Sequence, residues 1–145
     1  MKIGETLLNR DKNLITILPG VELLQAVEIL AANNIGALPV VSEDGILVGI
    51  ISERDIISCI SKCCGDIGSV VVADIMTRDV VTCNLEDNLS DVMALMNEHA
   101  IRHMPVMEEG HATTMISSRD GMNALLDESV EHRYTGVFFV RLACD

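Results

Sequence analysis

Apolar residues follow two alternating patterns along the chain. After Val21 they recur three, four, seven and eight positions apart, which is typical of an amphipathic helix. Apolar runs over 37–41 and 46–51, separated by a polar turn, indicate a β-hairpin. A second helical pattern follows over 53–63. With a short strand over 14–17 in front, the pattern predicts the order strand, helix, strand, strand, helix.

The same order is predicted a second time. Residues 35–41 align with 101–107 at a shift of 66, whereas Ser52 and Asp55 align with Ser117 and Asp120 at a shift of 65. The lost residue falls in the hairpin turn, where a deletion disturbs the sheet least. The second set is predicted as strand 79–83, a helix from residue 89, strands 103–107 and 111–116, and helix 119–126. Repetition at a fixed period indicates two copies of one supersecondary unit.

This repetition divides the chain into three parts. Residues 1–65 hold the first repeat with its N-terminal segment, and residues 66–128 hold a linker and the second repeat. Residues 129–145 form a tail, in which the apolar run Gly136–Leu142 has strand character.

The composition limits the classes of function. The chain has 145 residues, of which 49% are hydrophobic and 2% aromatic, so a compact core of aliphatic residues is expected. The formal net charge of −12 opposes non-specific binding to nucleic acid or an anionic membrane. No signal-peptide pattern and no apolar run long enough to span a membrane is found. We therefore expect a cytoplasmic protein that binds neither nucleic acid nor membrane.

Five cysteines are present, and no two have the Cys-x-x-Cys spacing. We interpret them as reduced thiols that fill apolar space. Cys59 and Cys63 are one helical turn apart, a spacing unfavourable for a disulfide, and none is expected. A metal site formed by Cys63, Cys64 and a histidine is a weaker alternative.

The junction between the second strand and the second helix carries the candidate chemistry. Ser52 is placed to cap the helix, and Asp55 lies in its first turn. One interpretation is helix capping alone, because Ser-x-x-Asp before an apolar run is a common helix start. The other is ligand binding, because a carboxylate accepts hydrogen bonds from the vicinal hydroxyls of a ribose. The junction recurs at Ser117 and Asp120.

Four motifs occur in order along the two repeats, and together they resemble the pattern of a known family. They are Ile35-Gly36-Ala37-Leu38-Pro39-Val40, Gly49-Ile50-Ile51-Ser52-x-x-Asp55, Ile75-Met76-Thr77-x-x-Val80-Val81-Thr82 and Ile101-Arg102-His103-Met104-Pro105-Val106. The chain resembles a tandem pair of CBS domains, named for cystathionine β-synthase, of the small stand-alone type. The resemblance implies an α/β (α+β) fold, in which two repeats, each a small sheet with two helices, pack about a pseudo-twofold axis.

The resemblance also implies two clefts between the repeats that bind adenine nucleotides. Ser52 and Asp55 would hold the ribose in one cleft, and Ser117 and Asp120 in the other; we call these the Asp55 cleft and the Asp120 cleft. The further binding residues that it implies are Ile75, Met76, Thr77, Val80, Val81, Arg102, His103, Met104 and Pro105, with Thr16, Gly36 and Ala37 at the Asp120 cleft.

Two differences between the repeats predict that the Asp55 cleft binds more tightly. Arg102 and His103 would face phosphates in the Asp55 cleft, whereas Gly36 and Ala37 stand at the equivalent positions. Gly49 would allow close approach of a ligand, whereas Thr114 stands at its equivalent. For Arg54 and Arg119, solvent exposure and a phosphate contact both remain open.

These observations favour a non-catalytic regulatory or sensor module that binds AMP, ADP, ATP or a related adenosyl ligand and needs no cofactor. We expect a homodimer, a flat disc of four repeats joined by apolar helix faces, and an unidentified protein partner remains open. No catalytic triad order, metal-ligand spacing or phosphate loop is present, so the chain is not expected to be an enzyme. The alternatives are a ligand-free structural dimerisation module and an accessory to a nucleotide-metabolising enzyme.

Overall fold

The computed structural model describes residues 1–8 and 13–133. A two-stranded sheet, β1–β2, and a three-stranded sheet, β3–β4–β5, each pack against helices, so the predicted mixed fold is confirmed. In chain order the elements are α1 (Ile3–Thr6), α2 (Leu23–Asn33), β1 (Ala37–Val41), β2 (Leu47–Ser52), α3 (Glu53–Lys62), α4 (Val72–Ile75), β3 (Cys83–Asn84), α5 (Leu89–Glu98), β4 (His103–Glu108), β5 (His111–Ser117) and α6 (Ser118–Arg133).

Both predicted hairpins are confirmed, and they repeat in detail. β1 pairs antiparallel with β2, and β4 pairs antiparallel with β5. Each first strand has a register shift at the equivalent place, after Val40 and after Val106. Both turns contain a glycine at positive φ, Gly45 at 80° and Gly110 at 83°, which glycine adopts without a steric penalty. The one-residue difference between the repeats therefore lies in the turn, as the alignment predicts.

The predicted first strands of the two repeats are too long. Ile17 alone pairs with Val40 in the described part of the first repeat, and β3 covers only Cys83–Asn84. The residues just before them leave the sheets and line the clefts described below. The last helix, predicted to end near residue 126, continues to Arg133. The predicted strand Gly136–Leu142 lies outside the described residues.

Two separate apolar cores hold the fold together. The first contains eleven buried residues from α2, β1, β2, α3, α4 and adjoining positions. The second contains nine from α1, β3, α5, β4, β5 and adjoining positions. The buried side chains are almost all aliphatic, as the composition predicts. They are Ile17, Leu23, Ala26, Leu30, Leu38, Val40, Ile51, Ile56, Cys59, Val72 and Met76 in the first core, and Ile3, Leu7, Cys83, Leu89, Val92, Met96, Met104, Val106 and Ile116 in the second.

The short helix in front of each repeat packs on the other repeat. Ile3 of α1 belongs to the second core, and its N–H donates to the Asp87 carbonyl at 2.9 Å. Val72 of α4 belongs to the first core, and its N–H donates to the Val21 carbonyl at 2.9 Å. Each core thus takes residues from both sides of position 65, so the two repeats are held together by exchanged segments. The predicted domain boundary at that position stays a prediction.

Candidate ligand-binding clefts

A serine and an aspartate close both strand-to-helix junctions. At the first, the N–H and hydroxyl of Ser52 donate to Asp55 Oδ2 at 2.9 and 3.0 Å, and the Asp55 N–H donates to Ser52 Oγ at 3.3 Å. At the second, the N–H and hydroxyl of Ser117 donate to Asp120 Oδ2 at 2.8 and 2.7 Å, and the Asp120 N–H donates to Ser117 Oγ at 3.1 Å. Both junctions are therefore reciprocal caps, and the capping role predicted for Ser52 is confirmed.

Capping and ligand binding are compatible at these junctions. All four side chains are half-buried, and each of them lines a cleft. The capping bonds hold the carboxylates in fixed orientations, so a ligand hydroxyl would meet a preorganised acceptor. The helix N-terminus behind each carboxylate adds the positive end of the helix dipole.

The Asp55 cleft is small. Its volume is about 200 Å³, below the range of roughly 300–1,000 Å³ that is usual for ligand pockets. Its residues come from the first hairpin and α3 on one side and from the segments around β3 and β4 on the other. The lining residues are Gly36, Ala37, Ile50, Ser52, Glu53, Arg54, Asp55, Thr77, Asp79, Val80, Val81, Ala100, Ile101, Arg102 and His103.

The Asp120 cleft is much larger. Its volume is about 840 Å³, which is within the range of roughly 300–1,000 Å³ that is usual for ligand pockets. One wall is apolar, and the junction of β5 and α6 supplies polar groups. The lining residues are Asn13, Leu14, Ile15, Asn34, Ile35, Gly36, Ala37, Pro39, Glu53, Arg102, His103, Thr114, Met115, Ser117, Ser118, Arg119 and Asp120.

The two clefts share a wall of five residues, Gly36, Ala37, Glu53, Arg102 and His103. Arg102 and His103 therefore do not belong to the Asp55 cleft alone. This corrects the first premise of the predicted ranking, because a pair that lines both clefts cannot favour one of them by its presence alone. Gly36 and Ala37, the equivalent positions of the first repeat, lie in the same wall.

The imidazole of His103 lies against Gly36. A Cβ at Gly36 would be 2.8 Å from His103 Cε1 and 3.0 Å from His103 Nε2, so only glycine leaves room for this ring. Burial, and less strongly the charge of Arg102, lower the pKa of His103, whereas the carboxylates of Glu53 and Asp120 act in the opposite direction. The neutral imidazole is therefore the dominant form near pH 7.

Each cleft has an arginine of its own, and the two arginines differ. Arg54 reaches across to the other repeat and donates from Nη1 to the Ala100 carbonyl at 3.5 Å. The equivalent Arg119 lines the Asp120 cleft together with Asn34, the residue equivalent to Ala100. Among the described residues, Arg119 makes no such bond to Asn34. Arg54 therefore acts as a contact between the repeats, whereas Arg119 is available to a ligand.

Charge also distinguishes the clefts. Two arginines line each of them, Arg102 with Arg54 or with Arg119. Three carboxylates line the Asp55 cleft, namely Glu53, Asp55 and Asp79. Two carboxylates line the Asp120 cleft, Glu53 and Asp120. The Asp120 cleft is therefore the better environment for an anionic group.

Five residues that the resemblance implies line neither cleft in the described structure. Met76 and Met104 are buried in the first and second cores, and Pro105 is buried within β4. Ile75 packs on the first core. Thr16 is exposed beside the segment that lines the Asp120 cleft. In these motifs the apolar positions hold the sheets and cores together, and their neighbours face the clefts.

The space beside Gly49 is filled by other residues of the protein and is not open to a ligand. A Cβ at Gly49 would lie 2.6 Å from Met76 Sδ and 3.0 Å from the Thr77 carbonyl oxygen. The backbones of Ile50 and Thr77 exchange two hydrogen bonds of 2.9 Å at this point. The second premise of the ranking is therefore also wrong. Thr114, at the equivalent position, is half-buried and lines the larger cleft.

Sequence reasoning missed several lining residues. Glu53 lies in the shared wall, Asp79 in the Asp55 cleft and Asn34 in the Asp120 cleft. Glu53 directly follows the Ser52 cap, a position that could have signalled it. Asn34 ends α2 in the left-handed conformation, with φ 52°, which asparagine tolerates better than most residues. Nothing in the sequence around Asp79 indicates its position.

Two kinds of site are absent from the described residues. Residues 1–8 and 13–133 contain no group of three His, Cys, Asp or Glu side chains that could hold a metal ion. In the same residues, no helix combines the length and the apolar character needed to cross a membrane.

The CBS domain family matches the chain twice, over residues 8–62 and 72–127. The chain belongs to the CBS-domain family. Both repeats are covered, so the resemblance read from the four motifs is confirmed. A CBS pair is a regulatory, non-catalytic module, which is the class that the sequence predicts.

Similar proteins support this assignment. The CBS-domain containing protein ATU1752 of Agrobacterium tumefaciens has a TM-score of 0.83 and 29% identity, over 86% of this chain and 99% of that chain. The CBS domain pair of protein MJ0100, whose crystal structure is a complex with 5′-methylthioadenosine and S-adenosyl-L-methionine, has a TM-score of 0.78 and 27% identity, over 89% and 98%.

A relative in Methanocaldococcus jannaschii, the uncharacterized protein MJ1225, is 30% identical over 127 residues, which cover 87% of this chain and 45% of that protein. The chain therefore spans less than half the length of this relative.

Proposed function

We propose that this CBS pair is a sensor module that binds an adenosyl ligand, an adenine nucleotide or a related nucleoside, in its Asp120 cleft. One observation carries the proposal: a cleft of about 840 Å³ combines a preorganised serine–aspartate junction with two arginines. The similar pair of protein MJ0100 was crystallised with two adenosyl compounds, which supports the ligand class.

The lining residues suggest how such a ligand would lie. Ser117 and Asp120 would bind the ribose hydroxyls, because their oxygens are held by the capping bonds. The apolar wall around Leu14 and Ile15 would cover the base. Arg102 would meet a phosphate or carboxylate group, since a guanidinium matches the geometry of such oxygens.

The shared wall provides a route for regulation. A ligand that draws Arg102 and His103 towards the Asp120 cleft also changes the wall of the Asp55 cleft. The wall lies between the repeats, so occupancy would alter how they pack. A ligand that prefers one packing shifts the population towards it, and a partner that reads the packing would sense the ligand.

The homodimer is part of the proposal, with a smaller interface than the sequence predicts. The helical pattern assigns to the dimer face Ala26, Ile29, Leu30, Ile56, Ile57, Ile60, Met93 and Met96. Four of these residues, Ala26, Leu30, Ile56 and Met96, are buried inside the chain. Ile57 remains 66% exposed on α3, and Leu126 is 56% exposed on α6. Ile57 is thus the most exposed residue of the predicted face, and Leu126 is a further candidate for a helix-mediated contact that the sequence did not indicate. Sedimentation of the wild-type chain and of the Ile57→Glu variant tests the homodimer. A monomer at micromolar concentration in both would contradict it.

Calorimetry tests the ligand directly. The chain is titrated with AMP, ATP, 5′-methylthioadenosine and S-adenosyl-L-methionine, with GMP as the matched control for the base. We expect saturable binding of at least one adenosyl compound and none of GMP. If no adenosyl compound binds, the proposal is wrong, and a ligand-free dimerisation module becomes the better interpretation.

A further inference from the structure

Cys59 on α3 and Cys63, the residue directly after this helix, have neighbouring sulfur atoms. The Sγ atoms of Cys59 and Cys63 are 3.7 Å apart. Cys59 is buried in the first core, whereas Cys63 is half-buried and caps the C-terminal end of the helix. Neither residue lines a cleft, so the ligand-binding proposal gives them no role.

The position at the helix end makes a bond between the two sulfurs feasible. Cα atoms four residues apart in an α-helix are about 6.2 Å apart, within the 4.4–6.8 Å that disulfides span. Their Cβ atoms must still move closer, by about 1–2 Å. Cys63 ends the helix, and Cys64 and Gly65 follow with φ of 52° and 88°. The last turn can therefore tighten without displacing a following helical turn.

We propose that Cys59 and Cys63 are a redox modification site, a dithiol that low-molecular-weight disulfides such as oxidised glutathione convert reversibly to an intrahelical disulfide. The objection from sequence, that a one-turn spacing is unfavourable, applies to the interior of a helix. At the end of this helix, the same spacing would give a strained disulfide. Strained disulfides are easily reduced and are typical of regulatory sites.

The reaction balances in two exchange steps. The thiolate of Cys63, the more accessible sulfur, attacks the reagent disulfide, whose S–S bond breaks and releases one glutathione thiol. Cys59 then gives up its proton and attacks the Cys63 sulfur, and the second glutathione thiol leaves. The protein loses two hydrogens and the oxidant gains them. Burial, and then the contact with Cys63, raise the pKa of the Cys59 thiol, so Cys59 fits the second, resolving role.

Oxidation would act on the helix that carries the Asp55 junction. α3 begins next to Ser52 and ends at Cys63. A disulfide would fix its last turn and tighten the packing of Cys59 in the first core. The Asp120 cleft contains no residue of this turn, so binding there is expected to change less than twofold.

Peptide mapping tests the proposal in the full chain. The parent carries Cys64→Ser and Cys144→Ser, so that neighbouring thiols cannot react. Cys83 is an internal control, because burial raises the pKa of its thiol to about 12. After treatment with oxidised glutathione we expect a mass loss of two hydrogens, a Cys59–Cys63 cross-link, and recovery of the original mass with dithiothreitol.

The matched control adds Cys63→Ser to the same parent, and it should form no intrachain disulfide. A glutathione adduct that persists on Cys63 while Cys59 is present would overturn the proposal. So would a chain that stays fully reduced. Phenylarsine oxide provides a second measurement, because it bridges two adjacent thiols with loss of one water. We expect one adduct per parent chain and none in the Cys63→Ser control, and equal labelling of the two would contradict the pairing.

Discussion

The Asp55 and Asp120 clefts are built around the same junction and differ in almost everything else. In both, a serine and an aspartate form reciprocal capping bonds between 2.7 and 3.3 Å. Yet one cleft has about 200 Å³ and the other about 840 Å³. A repeated binding motif therefore specifies the local geometry of its own residues, while residues outside the motif decide whether a ligand fits.

The contacts around the Asp55 junction explain its smaller space. Arg54 reaches the Ala100 carbonyl, and the Ile50 and Thr77 backbones pair beside Gly49. These contacts draw the two repeats together on that side. In the described structure Arg119 makes no equivalent bond to Asn34, and the Asp120 side is more open. The difference between the clefts is thus a difference in how tightly the repeats meet on each side.

The largest expected effect is the loss of ligand affinity in Asp120→Ala, compared with Asp55→Ala. Asp120→Ala should weaken binding of the adenosyl ligand ten- to a hundredfold, since a hydrogen bond to a charged group contributes roughly 1.5–3 kcal/mol. Asp55→Ala is the matched control, because it removes the same type of cap, and it should keep the affinity within about twofold. Calorimetry and melting curves on both variants measure this. If Asp55→Ala loses the ligand and Asp120→Ala keeps it, the ranking predicted from sequence is the right one.

Gly49 should be more sensitive to an added methyl group than an unhindered glycine. Gly49→Ala places a Cβ against Met76 and the Thr77 backbone, so we expect a loss of about 1–3 kcal/mol in the free energy of unfolding. Gly20→Ala, with nothing within 4 Å of its Cβ, should change stability by less than about 1 kcal/mol. Urea denaturation compares the two, and equal stability of both variants would show that the repeats do not meet closely here.

Substitution of the two equivalent arginines should distinguish a role in ligand binding from a role in the contact between the repeats. Arg119→Gln is expected to weaken the binding of AMP about tenfold, which corresponds to about 1.4 kcal/mol of binding free energy. It should leave the binding of 5′-methylthioadenosine unaffected, because this compound has no phosphate. Arg54→Gln should change neither affinity by more than about twofold. Titration of both ligands into both variants gives the answer, and a stronger effect of Arg54→Gln on AMP would place the phosphate in the Asp55 cleft.

The smallest expected effect concerns His103 and pH. Its pKa is lowered in the folded chain, so below the ordinary value near 6.5 the unfolded chain binds more protons than the folded one. This residue therefore supports stability above about pH 6.5 and reduces it as the pH falls towards the folded pKa. Urea midpoints at about pH 7.5 and about pH 5.5 should differ less in His103→Gln than in the wild type. Identical pH dependence would mean that the ring is not desolvated.

The sequence predicted the parts of the fold that depend on neighbouring residues. The hairpins, the one-residue difference in their turns and the Ser52 cap all agree with the structure, because strand alternation, turn glycines and capping residues act over a few positions. The first strands of both repeats were predicted too long. Apolar residues such as Val80 and Val81 have the propensity of a buried strand, so the pattern extends the strand over them. The resemblance implies them as binding residues, and in the structure they line the Asp55 cleft.

The candidate site divides in the same way. Ser52, Asp55, Ser117 and Asp120 could be picked out from spacing, since the cap and the carboxylate belong to one turn of chain. Met76, Met104 and Pro105 could not be separated from lining residues, because a motif position does not state which side of the chain faces the core. The argument for ranking the clefts treated Arg102 and His103 as belonging to one side, whereas both residues line both clefts. The ranking itself stays a prediction.

By itself, the sequence determined two repeats of one unit, two capped junctions and the family to which they belong, because these features are written in local pattern and fixed spacing. Only the tertiary structure decided that the junctions open onto clefts of unequal volume, that Arg102 and His103 lie in a wall common to both, and that Gly49 packs against Met76 and Thr77. Those facts depend on contacts between residues far apart in the chain, such as Gly36 with His103 and Arg54 with Ala100. Such contacts arise only when the two repeats pack together, and no local pattern specifies them.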